Sequence, residues 1–273
     1  FAPANLNRDD ANNPKDCEFG GARRARISSQ CIKRAIRNAP IFAATTKMEV
    51  GQRTKRIVDR LSKQIGDARP EAEIKAILPA FVAASLSKMD KDGQRTAVLL
   101  YLSASEIASI TQKLLDNWLE LADEKMRTTV VERLAKEFVK EYKERTSAPD
   151  IALFGRMLAE KPELNLDAAC QIAHALSTHR VAMEMDFYTA VDDLNPDDTA
   201  GAGMMGFTGY NSACFYRYAR LDWEQLVKNL GGDQELAERT VEGFLRATVE
   251  AVPSGKQNSF AAQNPPSFLL AVV

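Results

Sequence analysis

The chain changes its hydrophobic period twice, and that restricts the folds open to it. From residue 48 to 180, apolar residues recur every three or four positions. The segments "RTKRIVDRLSKQI", "EAEIKAILPAFVAASLSKM", "RTAVLLYLSASEIASITQKLLDNWLELA" and "KMRTTVVERLAKEFVKEYKER" carry this pattern, which predicts amphipathic helices. On the far side, "VAMEMDFYTAVDDL" (181–194) and "YNSACFYRYARLD" (210–222) alternate and are rich in aromatics, which predicts strands. A helical block set inside strand-forming sequence predicts an α+β fold. Residues 1–47 and 181–273 form one part, and 48–180 are an all-helical insertion.

Turn chemistry sets the finer divisions. Residues 5–15, "NLNRDDANNPK", read as a loop. Gly20-Gly21 inside "DCEFGGARRARI" predicts a tight hairpin. Ser28 or Ser29 supplies an N-cap and Pro40 a stop, which predicts a helix over about 29–38. Ile32 and Ile36 face the core of that helix, while Gln30, Lys33 and Arg37 share another face. The glycine-rich "NPDDTAGAGMMGFTG" predicts a long loop between strands. Asp222 and Gly231-Gly232 bracket a short helix, and a longer one, "DQELAERTVEGFLRATVEAV", ends at Pro253. "FLLAVV" is expected to return as a strand buried on both faces. The abrupt start at Phe1 and the apolar stop read as cut edges of ordered structure.

Several function classes find no support. The four cysteines (17, 31, 170 and 214) include no CxxC pair and read as small buried thiols. His174 and His179, expected at helix ends, are five apart, which is wrong for two ligands on one helical face. Asp9-Asp10, Asp192-Asp193 and Asp197-Asp198 are adjacent pairs, and turn or cap roles suit them better than convergence on a metal. No phosphate-binding loop, GxSxG or dinucleotide fingerprint occurs. The opening residues show no signal-peptide pattern, and no apolar run reaches the length of a membrane span. No catalytic residue, metal or cofactor is expected.

Charge points to binding instead. The formal net charge of the 273-residue chain is -1, yet residues 23–63 hold twelve Lys and Arg against Glu49 and Asp59. That local excess suits a polyanion. Within it, the start of the 29–38 helix presents free backbone N–H groups and the positive end of the dipole to an anion. Gln30, Lys33 and Arg37 extend the site, and Arg8 and Lys15 in the preceding loop add to it. Neutralising about five phosphates of single-stranded RNA gives a salt slope near -3.5. Such contacts carry no base information. Met204 and Met205, at the expected loop tip, either wedge between bases or pack back on the core. Lys136, Lys140 and Lys143 in the helical block read as solvated surface.

Five separated stretches resemble one family: "NLNRDD", "FGGARRARISSQCIKRAIR", "DFYTAVDDL", "NSACFYRYA" and "GKQNSFAAQNPP". They look like the backbone (CasC-type) subunits of type I-E CRISPR Cascade surveillance complexes. The resemblance implies a non-catalytic, cytoplasmic antiviral-defence subunit. It implies an RNA-recognition-motif-like (ferredoxin-like) antiparallel palm, an inserted helical fingers domain and a β-hairpin thumb at about 187–219. Copies would stack along CRISPR RNA with other Cascade subunits, and the guide would pair with target DNA. Carried over by motif, palm contacts fall on Arg8, Lys15, Ser28, Gln30, Lys33 and Arg37, and a fingers contact on Met157 in "FGRM". Thumb contacts fall on Tyr188, Thr189 and Val191, with Met204 or Met205 as the wedge. Some relatives in the wider superfamily cut target RNA with a loop aspartate. By that alternative, Asp192, Asp193, Asp197 or Asp198 would hold a metal.

Overall fold

The computed structural model describes residues 1–66, 69–190 and 204–273. They form an α+β protein of two compact units. One comprises Phe1–Ala39, Ile172–Arg220 and Phe244–Val273, the other Pro40–Gln171 and Leu221–Gly243.

In the first unit, β1 (Asp16–Phe19) and β2 (Ala22–Ile27) pair antiparallel with Phe19 opposite Ala22. Gly20 and Gly21 join them at φ 62° and 69°, the left-handed pair that a two-residue hairpin turn requires. β2 pairs with Ala175–Ser177, which pairs with Phe215–Tyr216, completing a four-stranded antiparallel sheet. Helix α1 (Ser29–Asn38) follows β2 directly and buries Ile32 and Ile36. It ends before Pro40, which opens the next helix, Pro40–Thr46. Proline disfavours helical backbone in the residue before it and suits a first helical position.

The arginines of β2 are engaged locally. Arg23 pairs with Asp16 at 2.7 Å. Arg24 donates to the Ser177 carbonyl at 3.1 Å. Arg26 donates to Nδ1 of His174 at 3.0 Å and to the Asp16 carbonyl at 3.3 Å. These three cations serve the sheet.

The second unit is mainly helical. Its core gathers Ile57, Leu61, Phe81, Leu100, Ile110, Trp118, Leu134 and Phe138. The principal helices are Ile57–Ile65, Glu71–Ser85, Ala104–Asp116 and Glu124–Tyr142. Pro79 lies inside Glu71–Ser85 without ending it.

Five expectations need correction. The apolar run at Leu100–Leu102 is a strand paired with Gln52–Thr54, and the helix starts only after the Ser103 cap. Cys170–Ile172 and Ala175–Ser177 are strands within the block read as helical, so His174 and His179 lie in coil. Alanine has little strand preference of its own, and for Ala175–Ser177 pairing with β2 decides the outcome. Residues 210–222 divide into Phe215–Tyr216 and Ala219–Leu221, and Cys214 lies exposed just before the first. Only Cys170 is fully buried; Cys17 and Cys31 are half-buried. Residues 268–273 are exposed and form no strand. Pro265 and Pro266, which cannot donate to a ladder, precede them, and among the described residues no strand partners them.

Candidate nucleic-acid interface

The start of α1 is built from two sequence-distant pieces. Ser28 caps the helix, its Oγ accepting from the Cys31 N–H at 3.3 Å. The Ser28 N–H in turn donates to Asn7 Oδ1 at 2.8 Å. The Asn7 carbonyl accepts from the Lys15 N–H at 2.8 Å, and the Lys15 carbonyl accepts from the Arg26 N–H at 2.9 Å. Asn7 thus fastens the loop carrying Arg8 and Lys15 to the helix that carries Gln30 and Lys33. Asp9 stiffens the loop by accepting from the N–H groups of Ala11 and Asn13.

Charge converges around the first turn of α1. Burial pushes the Cys31 thiol up from its ordinary value, while Lys15, Arg34 and Arg217 pull it the other way. Burial holds the Arg217 guanidinium below the usual arginine range, and its Nη1 donates to the Thr248 carbonyl at 3.3 Å. Cations gathered near a helix start make a site for anions.

The expected polar face of α1 is not uniformly open. Arg8 and Gln30 are exposed, and Lys15 and Lys33 are half-buried. Ser28 is buried, and Arg37 is only 7% exposed. Arg37 sits in the last turn of α1, where its charge suits the negative end of the helix dipole.

The second component is a free-standing ribbon. Glu184–Ala190 pairs antiparallel with Met204–Tyr210, so the second strand begins inside the stretch expected to be a loop. The register sets Phe187 opposite Phe207, Tyr188 opposite Gly206, Thr189 opposite Met205 and Ala190 opposite Met204. Alternation places Met185, Phe187, Met205 and Phe207 on one face. All four are 52–68% exposed, and the Phe187 and Phe207 rings are 5.1 Å apart. On the other face Tyr188 lies over Gly206, and Tyr210 Oη donates to Glu184 at 3.0 Å. Val191, Asp192, Asp193, Asp197 and Asp198 lie outside the described residues.

The base of the ribbon rests on the same loop that serves α1. Asn5, fully buried, donates through Nδ2 to the carbonyls of Asn12 (3.0 Å) and Gly209 (2.9 Å). Gly209 packs so closely that a Cβ there would lie 2.8 Å from Asn13 Oδ1. Gly255, in "GKQNSFAAQNPP", abuts the Asn5 and Leu6 carbonyls with no room for a Cβ. The first unit therefore joins the basic helix, the Arg8–Lys15 loop and the apolar ribbon through Asn5 and Asn7. Sequence patterning did not single out either asparagine. Their place in the turn-forming "NLNRDD", where asparagine side chains bond to backbone, was the available signal.

In the second unit, Met157 is 82% exposed. It follows the helix Pro149–Phe154 and Gly155, whose φ is 77°. A Cβ on Gly155 would lie 2.8 Å from the Leu166 carbonyl oxygen. Among the described residues, no group of three or more His, Cys, Asp or Glu is placed to hold a metal ion. No helix among them is long and apolar enough to cross a membrane.

A family model described as CT1975-like protein, a Cas family, matches residues 1–273. The chain belongs to the CT1975-like Cas family. Two solved structures extend the comparison. The CT1975-like chain is 32% identical to a chain of a CRISPR RNA-guided surveillance complex in a pre-nicking state. That match has a TM-score of 0.81 and covers 97% of this chain and 73% of the other. It is 27% identical to a chain of a second CRISPR RNA-guided surveillance complex, with a TM-score of 0.65, covering 93% and 71%. No curated protein gives a match.

Proposed function

We propose that this chain is a non-catalytic backbone subunit of a type I-E CRISPR surveillance complex, oligomerising along CRISPR RNA and displaying the guide for pairing with target DNA. In this reading the first unit is an RNA-recognition-motif-like palm, the helical unit the fingers, and the Glu184–Ala190/Met204–Tyr210 ribbon the thumb. The family and the two surveillance-complex chains support a CRISPR role. The observation that carries the RNA-binding part is the Asn7 link. It fastens the loop bearing Arg8 and Lys15 to the N-terminus of α1, and backbone N–H groups and cations together suit phosphate. The exposed apolar face of the ribbon suits unstacked bases, which aromatic and apolar side chains hold without sequence preference. Base pairing would read sequence while protein holds the RNA backbone.

The test is the RNA that co-purifies with the chain expressed beside a CRISPR array and its neighbouring subunits. RNA of uniform guide length with a repeat-derived end supports the proposal. Heterogeneous cellular RNA, or none, contradicts it. Incubating the complex with magnesium and complementary RNA tests catalysis separately. Regular cuts abolished by Asp192→Ala, Asp193→Ala, Asp197→Ala or Asp198→Ala would make the chain a metal-dependent ribonuclease instead.

A further inference from the structure

We propose that the buried ion pair between Glu106 and Arg156 is a positioning device that holds Met157 outward for contact with RNA. The RNA half of this inference rests on the function proposed above.

Met157 stands between two buried neighbours, Arg156 at 4% and Leu158 at 1% exposure. Both are tied down through their backbones. Arg156 and Leu166 exchange N–H to carbonyl bonds in both directions at 2.9 Å. The Leu158 N–H donates to Asn165 Oδ1 at 2.6 Å. Where the residues on either side point inward, the one between is turned outward.

The Arg156 side chain fixes this segment to a distant helix. Its Nε donates to the Leu164 carbonyl at 2.9 Å. Its Nη1 donates to Glu106 Oε1 at 2.6 Å and to the Tyr101 carbonyl at 3.4 Å. The other oxygen of Glu106 accepts from the Ser103 N–H at 2.6 Å, closing the capping box of the helix Ala104–Asp116. A rigid helix start therefore sets where Met157 projects.

Stability alone does not account for the arrangement. Buried ion pairs are often no more stabilising than apolar residues of similar volume. Here Nη2 of Arg156, also buried, has no hydrogen-bond partner among the described residues. What a planar guanidinium supplies and an apolar side chain does not is direction, through several donors at fixed angles.

The experiment uses the full chain with 13C-methyl methionine, the Met157 line being assigned by Met157→Ala. The main variant is Glu106→Gln/Arg156→Leu, which keeps an acceptor for Ser103, leaves no buried charge and adds no methionine line. Glu106→Gln alone serves if the double variant does not fold. Folding is read by circular dichroism, and affinity with a fluorescein-labelled single-stranded RNA. In the folded variant the Met157 line should move toward the averaged shift of a free methionine. RNA affinity should fall about 5-fold, the lower end for loss of one base contact, and adding Met157→Ala should cause no further loss. A native Met157 line in a folded variant would overturn the positioning role. Unchanged RNA binding by Met157→Ala alone would overturn the RNA role of the residue, while the methyl line still decides the positioning.

Discussion

Tyr188 lies across Gly206 on the exposed ribbon, its ring filling the space that a side chain at position 206 would occupy. The glycine is a seat for the aromatic ring. Glycine weakens a strand, and in a strand interior it often marks such a close approach.

Gly206→Val should therefore displace Tyr188 and leave both units folded. Ribbon residues 184–190 are all exposed, and substitutions away from a core usually change stability by less than about 0.5 kcal/mol. The urea midpoint should stay near that of the native chain. RNA affinity should fall as far as it does in Tyr188→Ala, and combining the two changes should cause no additional loss. Additive losses would separate the two residues.

Gly155 answers to two constraints: its φ is 77°, and a Cβ added there would lie 2.8 Å from the Leu166 carbonyl oxygen. Gly155→Ala should destabilise the chain by about 2 kcal/mol, the middle of the range for strained backbone. A shift of the urea midpoint without a change in slope would check this.

The α1 region was legible because its signals are local. A capping serine, two isoleucines four apart and a following proline define a helix without reference to anything distant, and Ser29–Asn38 matches the 29–38 expected. The hairpin at Gly20-Gly21 was legible for the same reason. Ala175–Ser177 was not. Three short residues become a strand only because β2 and Phe215–Tyr216 flank them, and neither neighbour is close in sequence. The burial of Arg37 was hidden likewise, since helical spacing assigns a residue to a face without saying what covers that face. The ribbon was half legible. Its first strand alternates clearly, but the glycines at 206 and 209 read as loop when one of them serves as the seat for Tyr188.

Cys31 should resist alkylation. Burial raises its thiol pKa, so the protonated thiol favours the folded chain. That contribution is complete below the unfolded thiol value and lost as pH rises through the higher folded value. At mildly alkaline pH, iodoacetamide should modify exposed Cys214 well before Cys31, and buried Cys170 last. Peptide mass spectrometry follows the order, and urea should abolish it. Labelling of Cys31 as fast as Cys214 in the folded chain would contradict the packing of α1 on Leu6, whose carbonyl lies 3.9 Å from the Cys31 sulfur.

Glu106→Ala should be among the more disruptive single substitutions in the helical unit. It leaves Arg156 charged and buried and removes the capping box. Losing one partner of a buried pair costs about 3–5 kcal/mol. Chemical denaturation should show a loss of that order, and a loss below about 1 kcal/mol would mean that water reaches Arg156.

RNA held through its phosphates binds with an affinity that responds to salt and not to base sequence. Fluorescence anisotropy with two unrelated single-stranded RNAs, from about 50 to 200 mM salt, should give matching affinities and a log–log slope near -3.5. Lys33→Ala should weaken both RNAs alike and flatten the slope by about 0.7. Affinity that follows base sequence, or binding indifferent to salt and to Lys33, would contradict that mode of binding.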